Sequence, residues 1–160
     1  MRCINFNSYI IISIFDARWN NNLLNAVRTA LKAYKLKRKG LTIRLSSDKE
    51  IKEFNLKWRG INKATNILSF PNVCNKGAVY GNINYIGDII ISYDTLKSEA
   101  TKAGLTFCNH MTHILLHGIL HLEGYKHKER NEEYKMQKQE IKYLKKLNIA
   151  NPYLERVKTN

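Results

Sequence analysis

Acidic residues are scarce in this 160-residue chain. Thirteen Asp and Glu stand against 27 Lys and Arg, leaving a formal net charge of +14. Such a surplus suits a polyanionic partner, either nucleic acid or an anionic membrane surface. An AT-rich coding bias, which raises Lys, Asn and Ile together, is the plainer source of part of it. Cysteine is sparser still. Cys3, Cys74 and Cys108 are odd in number, scattered and without a CxxC pair. That pattern argues against a disulfide scaffold and gives cysteine ligation of a metal no spacing to rest on; it fits free thiols in a reducing compartment. Long apolar runs are missing too: no stretch of about eighteen apolar residues exists, so no membrane span is expected. The opening MRCINFNSYIIISIF has polar interruptions at Asn5, Asn7 and Ser8 and no small-residue cleavage site. It reads as a buried, β-branched strand rather than a signal peptide, and the expected location is the cytoplasm. Repeats, linkers and low-complexity tracts are also absent.

What is present reads as one α/β (α+β) domain, a single compact unit over residues 1–150 with a C-terminal tail at 151–160. Residues 18–39 form a helix on a Leu23, Leu24, Val27, Leu31, Tyr34 stripe, with basic residues at its end and Gly40 as its stop. LTIRLS (41–46) alternates as a strand. Ser47 with Glu50 reads as a capping box opening a helix to about Lys57. TNILSFP (65–71) is a short strand stopped by Pro71, residues 72–82 a loop, and INYIGDIIIS (83–92) a strand. Helices follow at 94–103, 106–123 and 128–147, the last with Tyr134, Ile141 and Leu144 on its apolar side. Together these predict a small mixed sheet packed by helices.

Four of the five histidines fall within HILLHGILHLEGYKH, residues 113–127. On a helix His113, His117 and His121 form a column, because residues four apart share a face. Three ligands in one column cannot meet at one ion, since its ends lie roughly 12 Å apart at 1.5 Å per residue. Gly124 supplies a break where a left-handed residue ends the helix and folds the chain back. His127 then returns to the face of His117 and His121, giving three imidazoles and an open fourth position, the arrangement of a catalytic zinc site. Ligand type alone leaves nickel, cobalt and iron open. His113 is left as a core residue or one packed behind the ligands, and His110 as a partly exposed one.

The spacing equals that of HExxHxxGxxH, in which the Glu after the first His is the general base of zinc proteases. Here Gly118 holds that place, and Glu123, about 200° around the helix from His121, does not replace it. The pattern is metzincin-like in its ligands and lacks the peptidase base. Zinc acidifies bound water and acts as a Lewis acid, while phosphodiester cleavage also wants a planar, permanent cation. Arg59, in LKWRGINKATNILSFP, is one such cation. Alone it reads as surface charge, no better than Arg44 or Arg130. Asp88 is a candidate general base.

The segment from His117 to His127 (HGILHLEGYKH) resembles the HGxLHLxGYDH signature of the YbeY family of bacterial endoribonucleases, the rRNA maturation factors. Residues 56–71 resemble that family's LNxxYRxxxxxTDVLSFP, and IGDIIIS (86–92) its LGDIxIS. The three motifs, in order, span about residues 40–130. The resemblance implies a compact α/β domain with a mixed sheet. It implies a metal-dependent, single-strand-specific endoribonuclease acting in ribosome quality control and on rRNA, notably the 3′ end of the small-subunit (16S) RNA. It implies one zinc ion on His117, His121 and His127, a functional role for Arg59, no other cofactor, and single-stranded rRNA and the small ribosomal subunit as partners. The alternative is a ribosome-associated RNA-binding protein whose zinc is structural and which catalyses little. Two positions depart from the family pattern. Lys126 replaces an Asp before the last histidine, and Asn66 replaces the Asp of TDVLSFP. Neither is a ligand, so the metal site is expected to survive.

Overall fold

A computed structural model of the chain describes residues 1–7, 9–36, 38–72, 79–80 and 83–154. The opening segment is a hairpin rather than one strand. β1 (Arg2–Asn7) and β2 (Ile10–Ile14) pair antiparallel, with the Asn7 side chain accepting from the backbone N–H of Tyr9 (2.8 Å) and Ile10 (2.9 Å). A local Asx turn of this kind needs no glycine. β2 alternates: Ile10, Ile12 and Ile14 are buried and Ile11 is exposed.

α1 (Asn21–Tyr34) carries the expected stripe, all of it buried. Its end differs from expectation. The helix stops at Tyr34, Lys35 adopts the left-handed conformation (φ 55°), and Gly40 lies inside β3 (Lys39–Ser46). β3 pairs parallel with β2, so α1 is the crossover of a β–α–β unit. α2 (Asp48–Arg59) starts after Ser47, but no capping box forms: Ser47 makes no side-chain cap bond, and Glu50 instead accepts from the Arg44 guanidinium.

β4 (Ile67–Pro71) and the two-residue β5 (Val79–Tyr80) both run antiparallel to β6 (Ile83–Ser92), which lies parallel to β3. β5 interrupts the loop expected at 72–82, most of which is outside the described residues. The strand order is β1-β2-β3-β6-β4, with β5 on β6. α3 (Tyr93–Lys102), α4 (Phe107–Leu122) and α5 (Arg130–Lys146) complete the chain.

The pleat sorts the sheet into two faces. Ile12, Ile43, Ile89 and Ile91 join the main core with residues of α1, α4 and α5, whereas Leu68 and Ile90 join Ile51 of α2 on the other side. α4 thus lies on one face of the sheet and α2 on the opposite one. Trp19, almost fully buried, packs edge-on against Tyr93 and Phe107, and its indole N–H donates to the Ser46 carbonyl (3.0 Å). Among the described residues no helix is long and apolar enough to cross a membrane.

Candidate metal centre

Thr106 caps the start of α4, its hydroxyl accepting from the Asn109 N–H (3.2 Å). Its apolar face, including Met111, Leu115, Ile119 and Leu122, is buried, and the helix lies so close to the sheet that Gly118 rests on Ile67, Ser69 and Ile89. The chain turns where expected. Gly124 has φ +92°, and the Tyr125 N–H reaches back to the Leu120 carbonyl (3.0 Å). This turn carries exposed His127 back to half-buried His117 and His121.

The three rings meet. Centroids are 4.5 Å apart for His117–His121, 4.9 Å for His121–His127 and 5.5 Å for His117–His127. One ring nitrogen from each lies within 4.8 Å of the others, an arrangement able to hold one metal ion. The hydrogen bonds settle which nitrogens face inward. His117 Nδ1 lies 2.6 Å from Glu140 Oε1, and His121 Nδ1 lies 3.0 Å from the Tyr125 carbonyl oxygen. Both partners only accept, so in a neutral ring each Nδ1 carries the proton and each Nε2 is the nitrogen left to take a metal. Those two Nε2 atoms face each other at 2.9 Å. Two such lone pairs pointed at one another are a site that a cation can take. Burial, then the neighbouring His117, lowers the His121 pKa and favours the neutral, ligating form.

Glu140, on α5, is fully buried. Burial pushes its pKa up, but the polar contacts of His113, His117 and Tyr153 prevail and hold it at about 2. The ring of His113 lies 3.6 Å from Glu140 Oε2 and 3.3 Å from the Tyr153 hydroxyl, behind the triad rather than in it. A cavity of about 200 Å³ between α4, α5 and Tyr153 opens onto His117 and His127.

Neither Glu140 nor Tyr153 was among the residues expected from sequence. The available signal was a carboxylate on an apolar stripe. The buried side of α5 is Met136, Glu140 and Leu144, not Tyr134, Ile141 and Leu144, and Tyr134 is 67% exposed.

The remaining expected residues lie elsewhere. Asp88 shares a sheet face with Ile90, opposite α4, where it accepts from the Tyr85 hydroxyl (2.7 Å) and lines a groove of about 470 Å³ with Arg44, Phe54 and Trp58. The pleat alone turns it away from the histidines, which removes it as their general base. Glu123 is engaged by Tyr34 (2.6 Å) and Lys39 (2.5 Å). Asn66 donates to Glu99, which also holds His110 (2.7 Å). His110 is partly exposed, as expected, with its side chain 12% exposed. Arg59 ends α2, exposed, and forms no ion pair among the described residues. Cys3 and Cys108 are free thiols; Cys74 lies outside the described residues.

Comparison with known proteins shows what the chain as a whole is similar to. The family model described as Endoribonuclease YbeY matches residues 6–148. An Endoribonuclease YbeY of Bartonella quintana is 37% identical over 154 residues, covering 91% of this chain and 97% of its own. One from Ehrlichia chaffeensis is 35% identical over 158 residues, covering 92% and 98%. One from Buchnera aphidicola is 46% identical over 112 residues, covering 70% and 71%. A solution structure of a Thermotoga maritima protein superposes with a TM-score of 0.51 at 24% identity, covering 93% of this chain and 99% of that one, which shows a shared fold.

Proposed function

This chain belongs to the YbeY family of endoribonucleases, and from that premise we propose that it cleaves single-stranded RNA with the help of one zinc ion held by His117, His121 and His127. The observation that carries the reading is the pair of inward-facing Nε2 atoms 2.9 Å apart, each left bare because its ring's other nitrogen donates elsewhere. A tetrahedral zinc with Zn–N bonds near 2.0 Å spaces two nitrogens about 3.3 Å apart, close to what the rings already provide. Neutral imidazoles with fixed tautomers suit zinc, and His117, His121 and His127 would be the three residues that hold it. When bound, zinc supplies Lewis-acid polarisation of a phosphodiester oxygen.

The chain's own residues do the rest. Glu140 and the Tyr125 carbonyl keep the two Nδ1 protons in place. Exposed Lys126 and Lys128 flank His127, so the family's Asp is replaced by a cation suited to the RNA backbone. Arg59 is the proposed phosphate grip: it is exposed, unpaired with any carboxylate among the described residues, and planar, so it can take two phosphate oxygens at once. The surplus of 14 positive charges supports a nucleic-acid substrate, and the proposed target is the 3′ end of small-subunit rRNA.

The test is cleavage of a single-stranded RNA carrying that 3′ end, comparing the zinc-loaded chain with His121→Ala purified identically. The expected result is cleavage by wild type and a loss of at least about 100-fold in the variant, the scale on which a ligand of a catalytic metal matters. Equal cleavage by both overturns the reading. RNA binding without cleavage by either favours the non-catalytic, ribosome-associated alternative.

A further inference from the structure

A carboxylate at 0% exposure between two helices is expensive unless all its oxygens are engaged. Glu140 meets that condition in one particular way. Oε1 accepts from His117 Nδ1 at 2.6 Å, and Oε2 accepts from the Tyr153 hydroxyl, with His113 Nε2 3.6 Å away. Tyr153 comes from beyond the last helix. It is presented by a short turn in which the Asn151 side chain accepts from the Tyr153 N–H (2.9 Å), and its ring stands edge-on to His113 at 5.7 Å. Three elements distant in sequence thus converge behind one histidine: α4 brings His117, α5 brings Glu140, and the segment after α5 brings Tyr153.

We propose that Glu140 is a positioning residue for the metal ligand His117, and that Tyr153 is the clamp that holds the Glu140 carboxylate in line. The inference rests on reading the three histidines as a metal centre. A carboxylate oxygen accepts but never donates, so it holds the proton on Nδ1 and keeps Nε2 free for metal. It also fixes the ring plane and makes the imidazole a stronger electron donor. The Tyr153 hydroxyl takes up the second oxygen, which leaves the carboxylate one orientation. Residues 151–154 on this view are part of the metal centre, not a tail.

The same contacts would exist if Glu140 served only to hold α4 to α5, and metal affinity separates the two roles. Zinc affinity of the full chain is measured by competition with a chromophoric chelator, for wild type, Glu140→Gln and Tyr153→Phe, beside the thermal midpoint of each without metal. Glu140→Gln replaces a charged acceptor with a neutral amide of the same size. It is expected to weaken zinc binding about 10–100-fold, the range found when a carboxylate behind a ligating histidine is lost. Tyr153→Phe removes one hydroxyl and is expected to weaken binding about threefold or more, a smaller step on the same scale.

Nitrogen-15 spectra of the metal-free wild-type histidine rings give an independent reading that does not depend on either variant folding. They are expected to show the His117 proton on Nδ1. Zinc bound within twofold of wild type by folded Glu140→Gln, or a His117 proton on Nε2, overturns the positioning role. Unchanged affinity in Tyr153→Phe overturns the clamp. A wild-type chain that takes up no zinc overturns the metal reading and this inference together. Zinc binding matched by Glu140→Gln overturns this inference alone.

Discussion

At position 118 a β-carbon would stand 2.4 Å from Ile67 Cδ1, 3.0 Å from Ser69 Oγ and 3.3 Å from Ile89 Cδ1. This is the position at which the protease motif carries its glutamate. Here α4 lies directly on the sheet, and any side chain at 118 points into β4 and β6 rather than toward the histidines. The lost base and the close helix–sheet contact are therefore one fact. Gly87 is tighter: a β-carbon there would stand 2.2 Å from the Phe70 carbonyl oxygen, and its φ of +141° is unfavourable for any other residue. Gly118→Ala meets side-chain tips that can rotate and is expected to cost about 1–3 kcal/mol. Gly87→Ala meets backbone and is expected to cost more than Gly118→Ala, roughly 3 kcal/mol or above. Urea unfolding midpoints at constant slope order the two. A Gly87→Ala chain as stable as Gly118→Ala would contradict the packing described.

Helix starts show where a residue's identity matters less than its contact. Asn20 and Ser47 both stand at N-cap positions with extended backbone, and both are good capping residues. Asn20 makes the bond, its Oδ1 accepting from the Leu23 N–H at 3.2 Å; Ser47 makes none, and α2 instead begins with Asp48 and Glu50 in its first turn. Asn20→Ala is expected to lower stability by about 1 kcal/mol. Ser47→Ala is expected to change it by less than about 0.5 kcal/mol, as at a site with no such contact. Chemical denaturation of the pair decides. The expected capping box at Ser47 failed because Arg44, on the neighbouring strand, claims the Glu50 carboxylate. α5 teaches the same lesson. Its stripe was legible as a period, but choosing Met136, Glu140 and Leu144 over Tyr134 and Ile141 required knowing that α4 presents a histidine to accept a charge.

Across the whole molecule one acidic network joins elements far apart in the chain. Arg18 binds Asp16 and Asp94; Asp94 accepts from the Asp48 N–H (3.0 Å), and Asp48 accepts from Ser92 and Thr95. Hydrogen bonds from Arg18 hold both Asp16 and Asp94 below the ordinary 3.8. Carboxyls more acidic in the folded chain than in the unfolded one stabilise it above pH 3.8, and that stability is lost as pH falls through their folded values. Glu140, held at about 2 against 4.5, contributes in the same direction. The folded chain is therefore expected to weaken from roughly pH 5 downward, and Arg18→Gln to flatten that acid limb while leaving the Glu140 part intact. Urea midpoints between pH 6 and pH 2.5 measure this; an unchanged acid limb in Arg18→Gln would remove the network from the account. Because Arg18 is about half exposed, the effect will shrink with added salt.

Sequence by itself determined what is local. The α1 stripe, the four-residue spacing of His117 and His121, and the left-handed turn at Gly124 that returns His127 all follow from periods and dihedrals that operate over one or two turns of chain. The three family motifs stand on such spacings as well. Only the tertiary structure decided what lies behind and beneath the site. Asp88 is adjacent to Gly87 in a motif yet faces away from the histidines, because a strand's residues alternate and only one face of this sheet meets α4. Glu140 is 23 residues from His117, and Tyr153 a further 13 from Glu140. No local period relates them. They meet because burying the apolar side of α5 against α4 places a carboxylate where it must be satisfied by donors, the His117 ring and the Tyr153 hydroxyl.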